Sequence, residues 1–244
     1  MHTRVVYIEI NDEGQYYSEN CYLAYNGFKL KGYEIRKFLF SDLKAGMIRL
    51  EPGNIVYGNI NSVRLALKYL GKAQPPCLDI PDILLPWCHR KIFHSTLGQI
   101  RYESAKWPVF LKPAEGHKLF TGYVMKDFLG VIQTAGFPEE MPVLCSEVVK
   151  FTSEYRAFIH LNDLLGIKHY KGNPFIAPCE ATVMEMIKAY AEHAPAAYSL
   201  DVGILEDGRT ALVEINDGFS LGAYGLPSLY YVKLIETRWN ELCR

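Results

Sequence analysis

Tyr198-Ser199-Leu200-Asp201-Val202-Gly203-Ile204-Leu205-Glu206-Asp207-Gly208-Arg209-Thr210-Ala211-Leu212-Val213-Glu214-Ile215-Asn216-Asp217 places two β-rich runs on either side of Asp207-Gly208. That dipeptide supplies the positive φ angles a two-residue hairpin turn demands, so the stretch reads as an antiparallel hairpin. With Asp207 and Gly208 as the turn pair, Glu206 faces Arg209, and counting back sets Asp201 opposite Glu214. Leu200, Val202, Ile204, Ala211, Val213 and Ile215 then point one way, and Asp201, Glu214 and Asn216 the other. Two facing carboxylates repel, a cost to folding unless a cation sits between them. Oxygen donors of this kind suit Mg²⁺ bound together with a phosphate. The hairpin alone is equally consistent with acids that simply face water.

Working outward, Val5-Val6-Tyr7-Ile8-Glu9-Ile10 reads as a buried first strand. Tyr16 to Asn26 reads as a helix ended by Gly27, and Phe28 to Phe40 contains a second strand. Ile55 to Asn59 reads as a third strand, leading into a helix with Ser62 as its N-cap and Gly71 as its end. Strand alternating with helix over this region predicts a small α/β layer. Pro75, Pro76, Pro81 and Pro86 interrupt regular structure, so the boundary is expected there, with a linking helix over residues 89–102. Beyond it come a strand at Pro108 to Pro113, a helix near residues 126–134, strands at Val143 to Val149, Glu154 to His160 and Leu164 to Tyr170, and a helix at residues 181–193. The hairpin follows, and an amphipathic helix at residues 228–242 closes the chain. The predicted units are residues 1–95 and 96–244, the second divided at about 100–146 and 147–244.

Composition narrows the function classes. The 244 residues carry a formal charge of −1, which gives no electrostatic case for nucleic acid or an anionic membrane. No apolar run approaches the roughly 20 residues a membrane span needs. The six cysteines form no Cys-x-x-Cys pair, and no secretory leader opens the chain at Met1-His2-Thr3-Arg4, so the expected location is cytoplasmic. Cys88-His89 lacks the partner pair a zinc site requires.

The joint order of Lys112 at a strand end, the loop to Gly122, Glu147, Glu154 and the acidic hairpin resembles the ATP-grasp superfamily, over roughly residues 100–225. The resemblance implies two α+β subdomains clasping ATP, preceded by a small α/β domain. In that pattern a strand lysine contacts the α-phosphate and adenine, and Lys112 stands there. A small-residue loop covers the triphosphate, matched by Gly116 to Gly122 with Thr121. Glu147 and, seven positions on, Glu154 match the hinge acid and the ribose acid, with Val149 as the backbone partner of adenine. The family's metal set is an Asp followed thirteen residues later by Glu-x-Asn, and Asp201, Glu214 and Asn216 reproduce it. Phe120-Thr121-Gly122 and Glu154-Tyr155-Arg156 look most like a divergent clade found in bacterial and phage genomes.

One departure stands out. Many ATP-grasp ligases carry an arginine two residues before the metal Asp, where this chain has Ser199, and Arg156 and Lys168 are the replacement cations. The resemblance implies an ATP- and Mg²⁺-dependent ligase joining a carboxylate to an amine through an acylphosphate. Its partners would be ATP and a small molecule, peptide or protein terminus, with the acceptor near the loop Asp217 to Gly225. His117, Lys118 and His169 receive no role. The competing readings are a metal-dependent hydrolase or nuclease using the same acids, and a noncatalytic nucleotide-binding or interaction protein.

Overall fold

The computed structural model describes residues 4–114 and 119–244. Its first sheet holds β1 (Val5–Ile10), β2 (Glu34–Leu39) and β3 (Ile55–Tyr57), parallel and in the order β2-β1-β3. Helices α1 (Glu19–Leu30), α2 (Phe40–Lys44) and α3 (Ile60–Tyr69) connect and cover it. The expected helix boundaries shift for local reasons. Ser18 accepts from the Cys21 N–H and so starts α1. The helix runs through Gly27 and stops at Gly32, whose φ of +78° suits a glycine. In α3 the N-cap is Asn59 rather than Ser62, because the Asn59 side chain accepts from the Asn61 and Ser62 N–H groups.

The second sheet is antiparallel. It comprises β4 (Ile92–Thr96), β5 (Val109–Pro113), β6 (Tyr123–Met125) and β7 (Pro142–Glu147) in the order β4-β7-β5-β6, with α4 (Leu97–Tyr102) and α5 (Phe128–Gln133) beside it. The linking helix expected over residues 89–102 is therefore a strand followed by a short helix. Ile92, Phe93 and Thr96 favour the extended state and pair with β7, and the Thr96–Gln99 capping box delays the helix to Leu97. This sheet's strands thus begin at Ile92.

The third sheet holds β8 (Phe151–His160), β9 (Asp163–Gly172), β10 (Ala197–Leu205) and β11 (Thr210–Asp217), antiparallel and in the order β11-β10-β8-β9. Helix α6 (Glu180–Tyr190) buries Val183, Met186, Ile187 and Tyr190 against the Tyr155, Ile159, Leu200, Val202 and Ile204 face. The final helix, α7 (Ser228–Leu242), packs on α1, and its core joins Phe158 and Ala197 to the first sheet. The first and third sheets therefore share one apolar cluster. Trp239 shows its importance: it is 1 % exposed and donates its indole N–H to the Asn54 carbonyl at 2.7 Å. Truncating such a residue to Ala costs about 3–5 kcal/mol.

The hairpin turn differs from the expected one. The Leu205 N–H donates to the Arg209 carbonyl and the Gly208 N–H to the Leu205 carbonyl, so Glu206, Asp207 and Gly208 form a three-residue loop with Gly208 at φ +86°. That extra loop residue would displace Asp201 from Glu214. A β-bulge compensates: Val202 pairs with Leu212 while Asp201 pairs with Glu214, leaving Val213 as the extra residue. Asp201 and Glu214 thus face each other as expected, but Leu212 rather than Ala211 or Val213 joins Val202 in the core.

Candidate functional site

The register lines up the chemistry. Glu214 on β11 pairs with Asp201 on β10, Asp201 with Arg156 on β8, and Arg156 with Lys168 on β9. Partners directly across antiparallel strands share a face, so two acids and two cations form one row across the sheet. The next row on this face reads Asn216, Ser199, Phe158 and Gly166. A second bulge, between Glu154 and Tyr155, leaves Tyr170 unpaired on β9 and lets its hydroxyl donate to the Glu154 carboxylate at 3.0 Å. Bulges beside a site re-aim side chains in this way.

Within the row the charges pair closely. The Arg156 guanidinium donates to both Asp201 oxygens at 2.7 Å, and both side chains are buried. Its other face lies 5.0 Å from the Tyr224 ring, which stacks on Tyr170. Burial pushes the Asp201 carboxyl above its usual range despite Arg156, and Glu214 adds to the rise. The Asn216 amide N–H donates to Asp201 and to Glu214, each at 3.2 Å. From the second sheet, the Lys112 ammonium reaches Glu214 at 2.9 Å and Asp79 at 2.6 Å. Burial alone would lower the Lys112 pKa, but these two carboxylates hold it above its usual value. Burial likewise works to raise Glu214, and Lys112 outweighs it, so this carboxyl sits below its usual range. Lys168 makes no ion pair among the described residues.

A cavity of about 400 Å³ opens beside this row, between the second and third sheets. Ile80, Ile92, Phe110, Leu144, Val148, Phe151 and Val213 give it apolar walls, and Lys112, Glu147, Glu154, Lys171 and Glu214 give it polar edges. An apolar slot with a few convergent polar groups is the usual form of a small-molecule site. Gly122 belongs to the wall, and a Cβ there would lie 2.6 Å from the Phe110 ring and 3.2 Å from Lys112 Cβ. Val149 also lines the cavity, while Glu147 accepts from the Lys91 N–H at 2.8 Å. Thr121 is exposed and is not among the lining residues, and Gly116 lies outside the described residues.

The donor chemistry suits a hard cation. Asp201, Glu214 and Asn216 bring two carboxylates and one amide to a common point, and rotating the Asn216 amide would exchange its N–H₂ for its oxygen. Among the described residues no group of three His, Cys, Asp or Glu side chains is arranged to hold a metal, so such a cation would need further oxygens from a ligand. Ser199 is fully buried, and its hydroxyl has no hydrogen-bond partner among the described residues. The cation beside Asp201 comes instead from Arg156 on the neighbouring strand.

Two site residues escaped the sequence reading. Asp79 lies in the proline-rich linker at φ +40°, and its carbonyl accepts from the Ile215 N–H at 2.7 Å. Arg90 donates to the carbonyls of Leu212 and Val213 at the bulge, at 2.6 and 3.1 Å. Nothing in the local pattern around either residue signals the contact. Asp in a Pro-flanked linker was the one available hint for Asp79.

A family model described as an ATP-grasp domain, family 2 of its clade, matches residues 87–234. No curated protein matches the sequence. Among solved structures, D-alanine–D-alanine ligase from Bacillus anthracis superposes with a TM-score of 0.57 and 16% identity, covering 99% of this chain and 97% of that one. D-cycloserine synthetase DcsG gives a TM-score of 0.62 at 8% identity, covering 96% and 99%. Macrocyclase MdnC bound with precursor peptide MdnA from Microcystis aeruginosa MRC gives 0.56 at 12%, covering 95% and 98%. At these identities the likeness is one of fold. Among the described residues no helix is long and apolar enough to cross a membrane.

Proposed function

Because this chain belongs to the ATP-grasp domain family whose model spans residues 87–234, we propose that it is an ATP- and Mg²⁺-dependent ligase joining a carboxylate to an amine. The observation that carries this reading is the meeting of Lys112, from one sheet, with the Glu214–Asp201–Arg156–Lys168 row of the other, beside an apolar cavity. The clasp is formed by the second and third sheets, corresponding to about residues 100–146 and 147–244 with β4 added to the first. The layer of residues 1–95 would help to select the acceptor.

The cavity walls would take the adenine, with the Val149 backbone and Glu147 at its edge. Glu154, held by Tyr170 and Lys171, would accept from the ribose hydroxyls. Lys112 would donate to a phosphate, and Gly122 would let backbone approach the triphosphate, with Thr121 beside it. Asp201, Glu214 and Asn216 would hold Mg²⁺, which neutralises charge between the β- and γ-phosphates and orients them. Arg156 and Lys168 would stabilise the transferred phosphoryl group and orient the incoming carboxylate. A carboxylate oxygen bonds to the γ-phosphorus, the bond to the β,γ-bridging oxygen breaks, and ADP leaves. An amine nitrogen then bonds to the acyl carbon, losing a proton, and inorganic phosphate leaves. Positioning and electrostatics suffice for both steps.

The structural relatives include a D-alanine ligase, a D-cycloserine synthetase and a macrocyclase with its precursor peptide, which supports an amino-acid or peptide substrate here. The ATP requirement supports a cytoplasmic location. A second reading, a nucleotide-binding protein without turnover, is favoured by Ser199 and by the Asp201–Arg156 pairing that occupies the replacement cation. Calorimetry with ATP and Mg²⁺, followed by ADP release with pools of amino acids and peptides, tests both readings. The ligase reading expects binding and acceptor-dependent ADP, both lost in Glu214→Gln. Absence of ATP binding to the unaltered protein refutes it, and binding without acceptor-dependent ADP favours the second.

A further inference from the structure

Asp79 belongs to neither the row across the third sheet nor the region matched by the family model. Its backbone is fixed first. The Asp79 carbonyl accepts from the Ile215 N–H, between Glu214 and Asn216 on the open edge of β11, and Leu78 and Ile80 pack against the core under that sheet. The left-handed φ of +40° is a conformation that Asp and Asn tolerate better than other side-chain-bearing residues. With the backbone so held, the carboxylate meets the Lys112 ammonium at 2.6 Å, and Asp79 Oδ1 has no other partner among the described residues. Glu214 takes the same ammonium at 2.9 Å.

The two acids stand in different places. Lys112 and Glu214 line the cavity and Asp79 does not, although the next residue, Ile80, does. Asp79 therefore grips the ammonium from outside the cavity wall, while Glu214 grips it from within. An ammonium has three donors, so two carboxylates leave one N–H for a ligand. If Asp79 loses its charge, the whole attraction on Lys112 falls to Glu214. The long lysine stem then follows, and Glu214 is drawn from its place beside Asn216.

We infer that Asp79 is a positioning residue of the nucleotide site, a linker carboxylate that holds Lys112 at the cavity wall for a phosphate and leaves Glu214 in place. The inference rests on the nucleotide-binding reading above. Asp79→Asn tests it cleanly, since Asn keeps the shape, the backbone bridge and the tolerance of positive φ while removing the charge. Calorimetry with ATP and Mg²⁺ is run on the full chain, on Asp79→Asn, Asp79→Glu and Lys112→Met, and on the double variant of Asp79→Asn with Lys112→Met, each checked for an unchanged melting profile. Asp79→Asn is expected to weaken ATP about tenfold and Asp79→Glu to recover most of that. In the Lys112→Met background Asp79→Asn has no further effect, an outcome that a purely structural role for Asp79 would not give.

Affinity in Asp79→Asn equal to or tighter than that of the unaltered protein overturns the inference, as does an equal loss with and without Lys112. An unaltered protein that binds no ATP overturns the nucleotide reading itself, and this inference with it. Binding that is merely indifferent to Asp79 overturns the inference alone.

Discussion

Replacing Arg156 by Met should reveal how much of the third sheet's stability depends on one ion pair. Arg156 and Asp201 are buried, with side-chain exposures of 9% and 4%, and are joined by two hydrogen bonds of 2.7 Å. Without Arg156 the Asp201 carboxylate keeps the single 3.2 Å contact from Asn216, and it faces Glu214 unshielded. Removing one partner of a buried pair costs about 3–5 kcal/mol, because the other charge stays behind without compensation. In a chain of this size each kcal/mol lowers Tm by about 2–4 °C, so the expected loss is roughly 6–20 °C by differential scanning calorimetry. The loss should depend on pH in a definite sense. Burial already raises the folded Asp201 pKa above 3.8, and deleting Arg156 removes the largest influence opposing that rise. A carboxyl with a raised folded pKa destabilises increasingly as pH climbs from its unfolded value through the folded one. The Tm deficit should therefore be smaller at pH 5 than at pH 8. Adding Asp201→Leu to the Arg156→Met chain should restore most of the loss, since no buried charge is left. A deficit under about 3 °C at pH 8, or a double variant less stable than Arg156→Met, would refute the reasoning.

Other perturbations probe the frame around the site. Gly27→Ala should lower stability by about 1–3 kcal/mol in denaturant titration, because the new Cβ would lie 2.5 Å from both the Ser228 carbonyl and Val232 on the facing helix. Glu236 on α7 binds Lys31, Tyr33 and Arg4; burial works against it, but these partners hold its carboxyl below 4.5. Its contribution is thus present above pH 4.5 and lost as pH falls through the lowered folded value, so Glu236→Gln should flatten this part of the acid-unfolding curve. Cys179 is exposed with a lowered pKa, caused first by the Thr182 side chain, whereas burial raises the thiols of Cys21, Cys88 and Cys145. Iodoacetamide near pH 7.5 should therefore alkylate Cys179 well before those three, as read by peptide mass spectrometry.

Much of the site could be read along the strands. The alternation of apolar and polar residues in 198–217 placed Asp201, Glu214 and Asn216 on one face, and Glu154 and Arg156 fell on the matching face of β8. The agreement of Asp201 with Glu214 came by a longer route than expected, through a three-residue loop and a bulge at Val213 that offset each other. A bulge leaves no local pattern, because its benefit lies in the partners it meets, here the Arg90 guanidinium on the Leu212 and Val213 carbonyls. The strand at Ile92–Thr96 was hidden for the same reason. Its extended state is decided by pairing with β7, some fifty residues away in the chain.

The sequence by itself determined the donor types, their spacing and the sheet face that carries them, since strand periodicity is a property of neighbouring residues. Only the tertiary structure decided which charge meets which. Arg156 closes on Asp201, Lys112 crosses from the other sheet to Glu214, and Asp79 arrives from a linker with no strand pattern of its own. Those pairings depend on how two sheets and a linker pack, and packing is set by burial and contacts distant in sequence.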